Sequence, residues 1–334
     1  YMDRDSLAEI LGIAKNQVRI IPTSVGGGFG SKLDLSLQPF LAIAAWHLKR
    51  PVKMVYSRTE SMLSTTKRHP SHIRAKIGAS KDGTITAMTV DSTFNTGAYA
   101  SWGPTVANRV PIHACGPYLI ENYRAESAAI HTHCPPSGAF RGFGVPQSAI
   151  AQETLFDLLA EQLEIDPLEF RIQNALANGV PTVTGQRFAS GVGILACLES
   201  LKPFWQKAVQ SAETRNKSAS HSPTRFGVGL AGLWYGCGNT SLPNPSTIRV
   251  GLKNDGRIVL FQGAVDIGQG SNTVISQICA DAIGLSIDQF DLVYGDTDLT
   301  ADAGKTSASR QTFVSGKAAY LAGRALRDKL LAIA

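Results

Sequence analysis

No Cys-x-x-Cys pair occurs anywhere in the chain, and its five cysteines (Cys115, Cys134, Cys197, Cys237 and Cys279) are odd in number. This excludes a disulfide framework and a local zinc or iron–sulfur site, and the cysteines read as buried thiols. No apolar run reaches the roughly eighteen residues of a membrane-crossing helix, and no basic, apolar, small-residue signal opens the chain. The expectation is a cytoplasmic protein with no membrane span. Charged residues are scarce at 17%, and behind the formal net charge of +6 the basic residues are scattered, without the runs or aromatic interleaving of a nucleic-acid surface. A mild basic excess suits an acidic cofactor or substrate, with no nucleic-acid partner. Terminal signals are missing too: the chain opens at Tyr1 and closes on "GRALRDKLLAIA", a helical pattern without a stop. A fragment of a longer polypeptide, incomplete at both ends, is expected.

What is present is apolar bulk and punctuation. At 334 residues and 43% hydrophobic, the chain can bury sizeable cores and is long enough for two domains. Spacing predicts a short helix over 6–11, a strand over "QVRIIPT" and a helix over 38–49, with Pro39 in its first turn and Pro51 closing it. Alternation on both sides of Lys81-Asp82-Gly83 predicts a hairpin, with a further strand over Arg124 to His133 and a helix from Pro146. Residues 211–224, polar, serine-rich and aperiodic, are predicted to link a domain at 1–210 to a second at 225–334. Beyond them, "RFGVGLAGLWYG" and "QFDLVYGDTD" read as strands and Asn254-Asp255-Gly256 as a hairpin turn. Val274, Ile275, Ile278, Cys279 and Ala282 mark a helix with Ser271 or Asn272 as cap. Mixed hairpins and helices in each half favour an α+β fold over a doubly wound sheet.

Three glycine loops stand at predicted helix entrances: "GGGFGSK", "GAFRGFGVPQ" and "VDIGQG". The first fails the P-loop spacing around Lys32 and fails the dinucleotide fingerprint where Ser31 stands in place of glycine. Together, the loops suit a large, flat, phosphate-bearing cofactor gripped by main chain. Arg141 adds a charge fork, Phe143 a stacking face and Gln269 an amide. A fourth segment, "TSASRQTF", places Ser307, Ser309, Arg310, Gln311 and Thr312 before the last helix as a pyrophosphate seat.

In this order and at these separations, "GGGFGSK", "GAFRGFGVPQ", "GQG" and "SRQT" resemble the molybdenum-cofactor subunit of the xanthine oxidase family of molybdenum hydroxylases. "GGGFGSKLDLSLQ", "KRHP" and "GLWYGCGNT" are most similar to its nicotinate dehydrogenase-like and bacterial xanthine dehydrogenase-like branches. The resemblance covers nearly the whole chain. It implies two molybdopterin-binding domains holding a molybdopterin, in its cytosine dinucleotide form, whose molybdenum has no direct side-chain ligand. Gly28, Phe29 and Gly30 would lie against the metal's ligands through their main chain, Gly268, Gln269 and Gly270 on the pterin side, and Ser309, Arg310, Gln311 and Thr312 at the dinucleotide phosphates. Arg141 would sit near the metal as the one catalytic residue carried by this chain, and Phe143, Arg109 and Leu33 would line the substrate pocket.

The activity so implied is hydroxylation of an electron-poor ring carbon of a small N-heteroaromatic substrate, with water as oxygen source. An aldehyde- or carbon monoxide-oxidising member, or a non-catalytic scaffold, are the alternatives. The family's general base is a glutamate in a "GVGE"-like segment that this chain lacks, so the fragment alone is expected to be inactive. Glu153 and Glu199 read as solvent-facing or capping acids. Leu33 replaces a substrate-orienting glutamate, which favours nicotinate-like acids over purines. Iron–sulfur clusters and FAD are expected on partner subunits or domains, alongside the rest of the large subunit, in a dimer of the heteromeric complex.

Other features have plainer readings. His131 and His133 share a strand face without a third metal ligand in spacing. "KRHPSH" reads as a solvated loop or subunit contact, Trp102 and Trp234 as core or interface, and Asp296 and Asp298 as turn organisers.

Overall fold

The computed structural model describes residues 1–219, 222–239 and 242–333. In chain order it contains α1 (Met2–Leu11), α2 (Gln38–Leu48), α3 (Arg58–Ser64), β1 (Ser71–Ala79), β2 (Ile85–Gly97), α4 (Gly103–His113) and β3 (Asn122–His131). There follow α5 (Val145–Gln162), α6 (Pro167–Gln173), α7 (Ile194–Ser218), β4 (Ile248–Leu252), β5 (Ile258–Gln262), α8 (Ser271–Ile283) and β6 (Phe290–Tyr294). The last helix, α9 (Gly316–Ile333), is entered through a π-helical turn at Gln311–Ser315. Two compact units emerge that do not follow chain order. The first joins Tyr1–Lys67, Gly138–Arg141 and Gly236–Ala334; the second joins Arg68–Ser137 and Gly142–Tyr235.

Each unit repeats one plan. In the second, β1 and β2 pair antiparallel across the predicted Lys81-Asp82-Gly83 turn, where Asp82 accepts from Thr84 N–H and Gly83 adopts φ +91°. After α4, β3 returns parallel to β2. Apolar residues of β2 (Met88, Val90, Phe94) meet Val106 and Val110 of α4, Phe156 of α5 and Phe170 of α6 in one core. In the first unit, β4 and β5 turn at Asn254-Asp255-Gly256, and β6 returns parallel to β5 after α8. Ile258, Leu260, Ile275, Cys279, Ile283 and Ala319 form that core. This is the α+β class that the hairpin-and-helix pattern implies.

Several expectations change. Residues 211–218, part of the expected linker, complete α7: the hydroxyls of Thr214 and Ser218 donate to carbonyls four residues back, and Asn216 exchanges two hydrogen bonds with the Phe226 backbone. Polar residues therefore extend this helix instead of breaking it. "QVRIIPT" joins no sheet among the described residues, because Ile20 bonds only to the turn at Thr297. "RFGVGLAGLWYG" likewise carries no strand pairing among them; Trp234 fastens it to α4 by donating to the His113 carbonyl at 3.2 Å. Glu153 is not solvent-facing. It is buried and accepts from Arg171 Nε at 2.8 Å, Tyr118 Oη at 3.1 Å and Gln152 Nε2 at 2.6 Å, because the fully buried Arg171 needs a counter-charge. Glu199 is exposed on α7. Of the cysteines, only Cys115 and Cys279 are buried, which pushes their thiols up to about 12 and about 11; Cys134, Cys197 and Cys237 lie at exposed positions.

Candidate cofactor cradle and pocket residues

The first unit collects four segments that are far apart in sequence. Gly27 N–H donates to the Ile267 carbonyl at 2.9 Å, and a Cβ on Gly28 would stand 3.1 Å from Ile267, so "GGGFG" lies directly on "DIGQG". Gly30, at φ +100°, leaves no room for a side chain: its Cβ would be 2.8 Å from the Ala139 carbonyl oxygen and 3.0 Å from Phe140 Cα. That contact seats 138–141 beside the loop, with exposed Arg141 placing its guanidinium 6.0 Å from the centre of the Phe29 ring. Thr306 then ties the fourth segment in, its hydroxyl donating to the Val265 carbonyl at 2.8 Å. Gly238 N–H and Cys237 Sγ bond to the Ala308 and Ser309 carbonyls.

The loops do not all work as helix N-termini. After the glycines the chain makes tight turns, Ser31 and Leu33 donating to Gly28 and Gly30, and α2 begins only at Gln38. Lys32 reaches back to the Val25 carbonyl and closes the loop. Before α8, the expected caps Ser271 and Asn272 lie inside the helix and Gly270 is the N-cap. The capping carboxylate is Asp266, which accepts from the N–H groups of Gly268, Gly270 and Asn272 at 2.8, 3.3 and 3.1 Å. Burial raises the Asp266 pKa, but these donors outweigh it and hold the carboxyl below its ordinary value. A phosphate at this helix end would meet the negative charge of Asp266. Exposed Gln269 folds its amide into its own turn, accepting from Ile267 N–H at 2.7 Å and donating to Ser271 Oγ at 3.0 Å.

In "SRQT" the side chains divide. Ser309 and Thr312 are exposed. Arg310 is buried and donates to the carbonyls of Ala303, Lys305 and Pro245, while Gln311 bonds Lys305 and Thr306. Both shape the loop from within. Burial, reinforced by the charge of Arg310, lowers the Lys305 pKa, which marks the loop as electropositive. Among the described residues, non-glycine positive φ angles fall at Phe29, Ala308 and Ser309 within these segments and at Lys49, Ser101, Phe143 and Glu164 outside them.

A flat group gripped by main chain fits here. Cβ atoms on Gly26 and Gly270 would meet nothing within 4 Å, and one on Gly268 only the Gly27 nitrogen at 4.0 Å. Side-chain-free backbone thus borders open space beside Phe29, which is 62% exposed. The molybdopterin cofactor-binding domain family matches residues 1–175, and a second family of the same description matches residues 202–334. The chain belongs to the molybdopterin cofactor-binding family. It is 44% identical over 210 residues to the nicotinate dehydrogenase large molybdopterin subunit of Eubacterium barkeri, covering 63% of this chain and 49% of that protein. It is 34% identical over 340 residues to the xanthine dehydrogenase molybdenum-binding subunit of Escherichia coli O157:H7, covering 99% of this chain and 44% of that protein. The aldehyde oxidoreductase from Desulfovibrio gigas superposes with a TM-score of 0.86 at 30% identity, covering 97% of this chain and 35% of that one. The chain therefore spans about half the length, or less, of these relatives.

The second unit of this molybdopterin-binding chain holds Arg109 and Phe143. Arg109 is 3% exposed, with its guanidinium carbon 5.8 Å from the Phe143 ring centre and 4.6 Å from that of Tyr235. Trp102 stacks at a tilt on Phe143 at 6.4 Å. Leu33, in the first unit, is half-buried. Sequence reasoning does not single out Tyr235, Asp266 or Lys32, although the aromatic pair before the glycines of "WYGCG" is a signal for the first. Asp296 accepts both ends of the Arg19 guanidinium and the Asp298 N–H, and His131 and His133 are exposed; among the described residues no three metal-ligating side chains cluster. In "KRHPSH", Lys67 caps the carbonyls of α3 and His69 is buried.

Proposed function

We propose that this chain cradles the molybdopterin, and forms part of the substrate pocket, of a cytoplasmic molybdenum hydroxylase acting on a nicotinate-like N-heteroaromatic acid with water as oxygen source. The observation that carries the reading is the convergence of four distant segments in one compact unit, where glycine backbone borders open space. When bound, the molybdenum centre supplies a two-electron oxidation. Gly28, Phe29 and Gly30 bring main chain to the metal side, and Gly268, Gln269 and Gly270 hold the pterin. Ser309 and Thr312 hydroxyls meet the phosphates of the cytosine dinucleotide form, within the positive field of Lys305 and Arg310.

Arg141 places a guanidinium at the Phe29 edge of the cradle, where it stabilises negative charge on the reacting group. Leu33 offers no hydrogen bond to a purine, which favours the heteroaromatic acid. The resemblance places the general base in a "GVGE"-like segment that these residues do not contain, and Glu153 is committed to Arg171. The chain alone is accordingly inactive, and iron–sulfur and FAD partner subunits carry electrons onward in a dimeric heteromeric complex.

Metal and pterin analysis of the natively purified complex should find about one molybdenum and one pterin per chain. Absence of both overturns the cofactor reading. Hydroxylation assays with nicotinate, xanthine and benzaldehyde then decide the substrate class, and turnover of benzaldehyde alone refutes the heteroaromatic assignment.

A further inference from the structure

In the first unit, α2 is apolar in a way that a solvent-facing helix is not. From Gln38 to Leu48 no residue carries a permanent charge, and the polar side chains are Gln38 and His47. A surface helix turns charge outward, whereas one that is apolar all round is enclosed. Yet α2 has no buried residue. It rests on α1 on one side, where Gln38 Nε2 donates to the Asp3 carboxylate at 3.1 Å. Phe40, Ile43 and Trp46, each three residues from the next, form an outer stripe, and Leu48 stands open at the C-terminal end; the four are 43–62% exposed. The chain then returns to the start of the helix, the Tyr56 hydroxyl donating to the Ser36 carbonyl at 3.4 Å, with Met54 and Val55 exposed on the way.

Charge of one sign accompanies this apolar stretch. From Leu35 to Thr59 there is no acidic residue, while Lys49, Arg50, Lys53 and Arg58 are all exposed. Two copies meeting across a two-fold axis would set these cations against one another, which disfavours self-association. A helix lying in a lipid interface presents a charged face opposite its apolar one, and α2 has none. Core-like surface of this kind belongs to permanent association, with polypeptide that is apolar against the stripe and acidic at the rim. In the relatives described above, more than half of the subunit lies outside the stretch that this chain matches. We propose that α2 and the returning segment through Val55 are the seat for that further part of the large subunit, which covers the Phe40–Ile43–Trp46 stripe and brings acidic side chains to Lys49, Arg50 and Lys53. The proposal rests on membership of the family and not on the hydroxylase reading.

The test uses the native complex. With p-benzoylphenylalanine in place of Phe40, illumination followed by mass spectrometry should join α2 to a peptide of the large subunit from outside residues 1–334. A product with residues 1–334 of either copy, with another subunit or with lipid, or no product at all, overturns the proposal. The unmodified complex gives a second readout that needs no substitution. Peroxide should convert Met54 to its sulfoxide at least about tenfold more slowly than in the urea-unfolded complex, as it does the buried Met88. Met54 oxidised at the unfolded rate leaves the seat open and overturns the proposal. Both readouts are the same whatever the complex oxidises, so a complex that hydroxylates no heteroaromatic compound refutes the hydroxylase reading and leaves this one standing.

Discussion

Replacing Gly30 by alanine tests whether the seat of residues 138–141 is set by the lack of a side chain. Two costs add. At φ +100° an L-residue is strained by about 1–3 kcal/mol. Its Cβ would also press to 2.8–3.0 Å on backbone atoms of Ala139 and Phe140, which cannot rotate away, for about 1–3 kcal/mol more. Gly30→Ala should therefore lose about 2–6 kcal/mol in urea unfolding. Gly26→Ala is the control: at φ +65° with nothing within 4 Å, it should lose only about 1 kcal/mol. If the open space beside Gly26 receives the cofactor, the control should still bind less molybdenum and pterin despite its near-normal stability. Equal stability of the two variants would refute the packing argument, and full cofactor content in Gly26→Ala would refute the assignment of that open face.

Asp266→Asn should weaken amide protection at Gly268, Gly270 and Asn272 in hydrogen exchange, since only one carboxamide oxygen can accept. The Asp266 carboxyl is depressed in the folded state, so its contribution is present above the unfolded value near 3.8 and disappears as pH falls through the lower folded value; the variant should lose that part of the acid slope in unfolding titrations. Glu153→Gln leaves Arg171 buried with only Asp157 as carboxylate partner, and should destabilise the chain by about 3 kcal/mol in urea. Alkylation at pH 7.5 followed by mass spectrometry should label Cys134, Cys197 and Cys237 and spare Cys115 and Cys279. Cys134 should react fastest, because hydrogen bonds from Thr132 and Asn95 lower its pKa.

Local chemistry made much of this structure legible before any coordinates. Lys81-Asp82-Gly83 and Asn254-Asp255-Gly256 each name a turn that needs positive φ, and the hairpins stand where alternation flanks them. Helices α2, α5 and α8 follow from apolar spacing. Several of the misses depend on a partner elsewhere in the chain. "QVRIIPT" has strand composition, yet a strand exists only where a neighbouring edge accepts it. The carbonyls of Pro245, Ala303 and Lys305 that Arg310 binds are not written in its own motif. Asp266 caps α8 from outside the usual cap position, and Tyr235 acquires meaning only beside Arg109, more than a hundred residues earlier in the chain.

The first unit is sewn from three stretches of chain, and that order has a consequence for biosynthesis. Every residue of the second unit has been made once Tyr235 leaves the ribosome. Residues 1–67, although translated first, must wait for the β4–β6 sheet and for Ile267, on which Gly27 and Gly28 rest. Domains fold as units during synthesis, so the oldest glycine loop in the chain is among the last parts to take its shape. Any ligand that needs all four segments can enter only a nearly finished protein, since a chain ending at Tyr235 lacks two of the four.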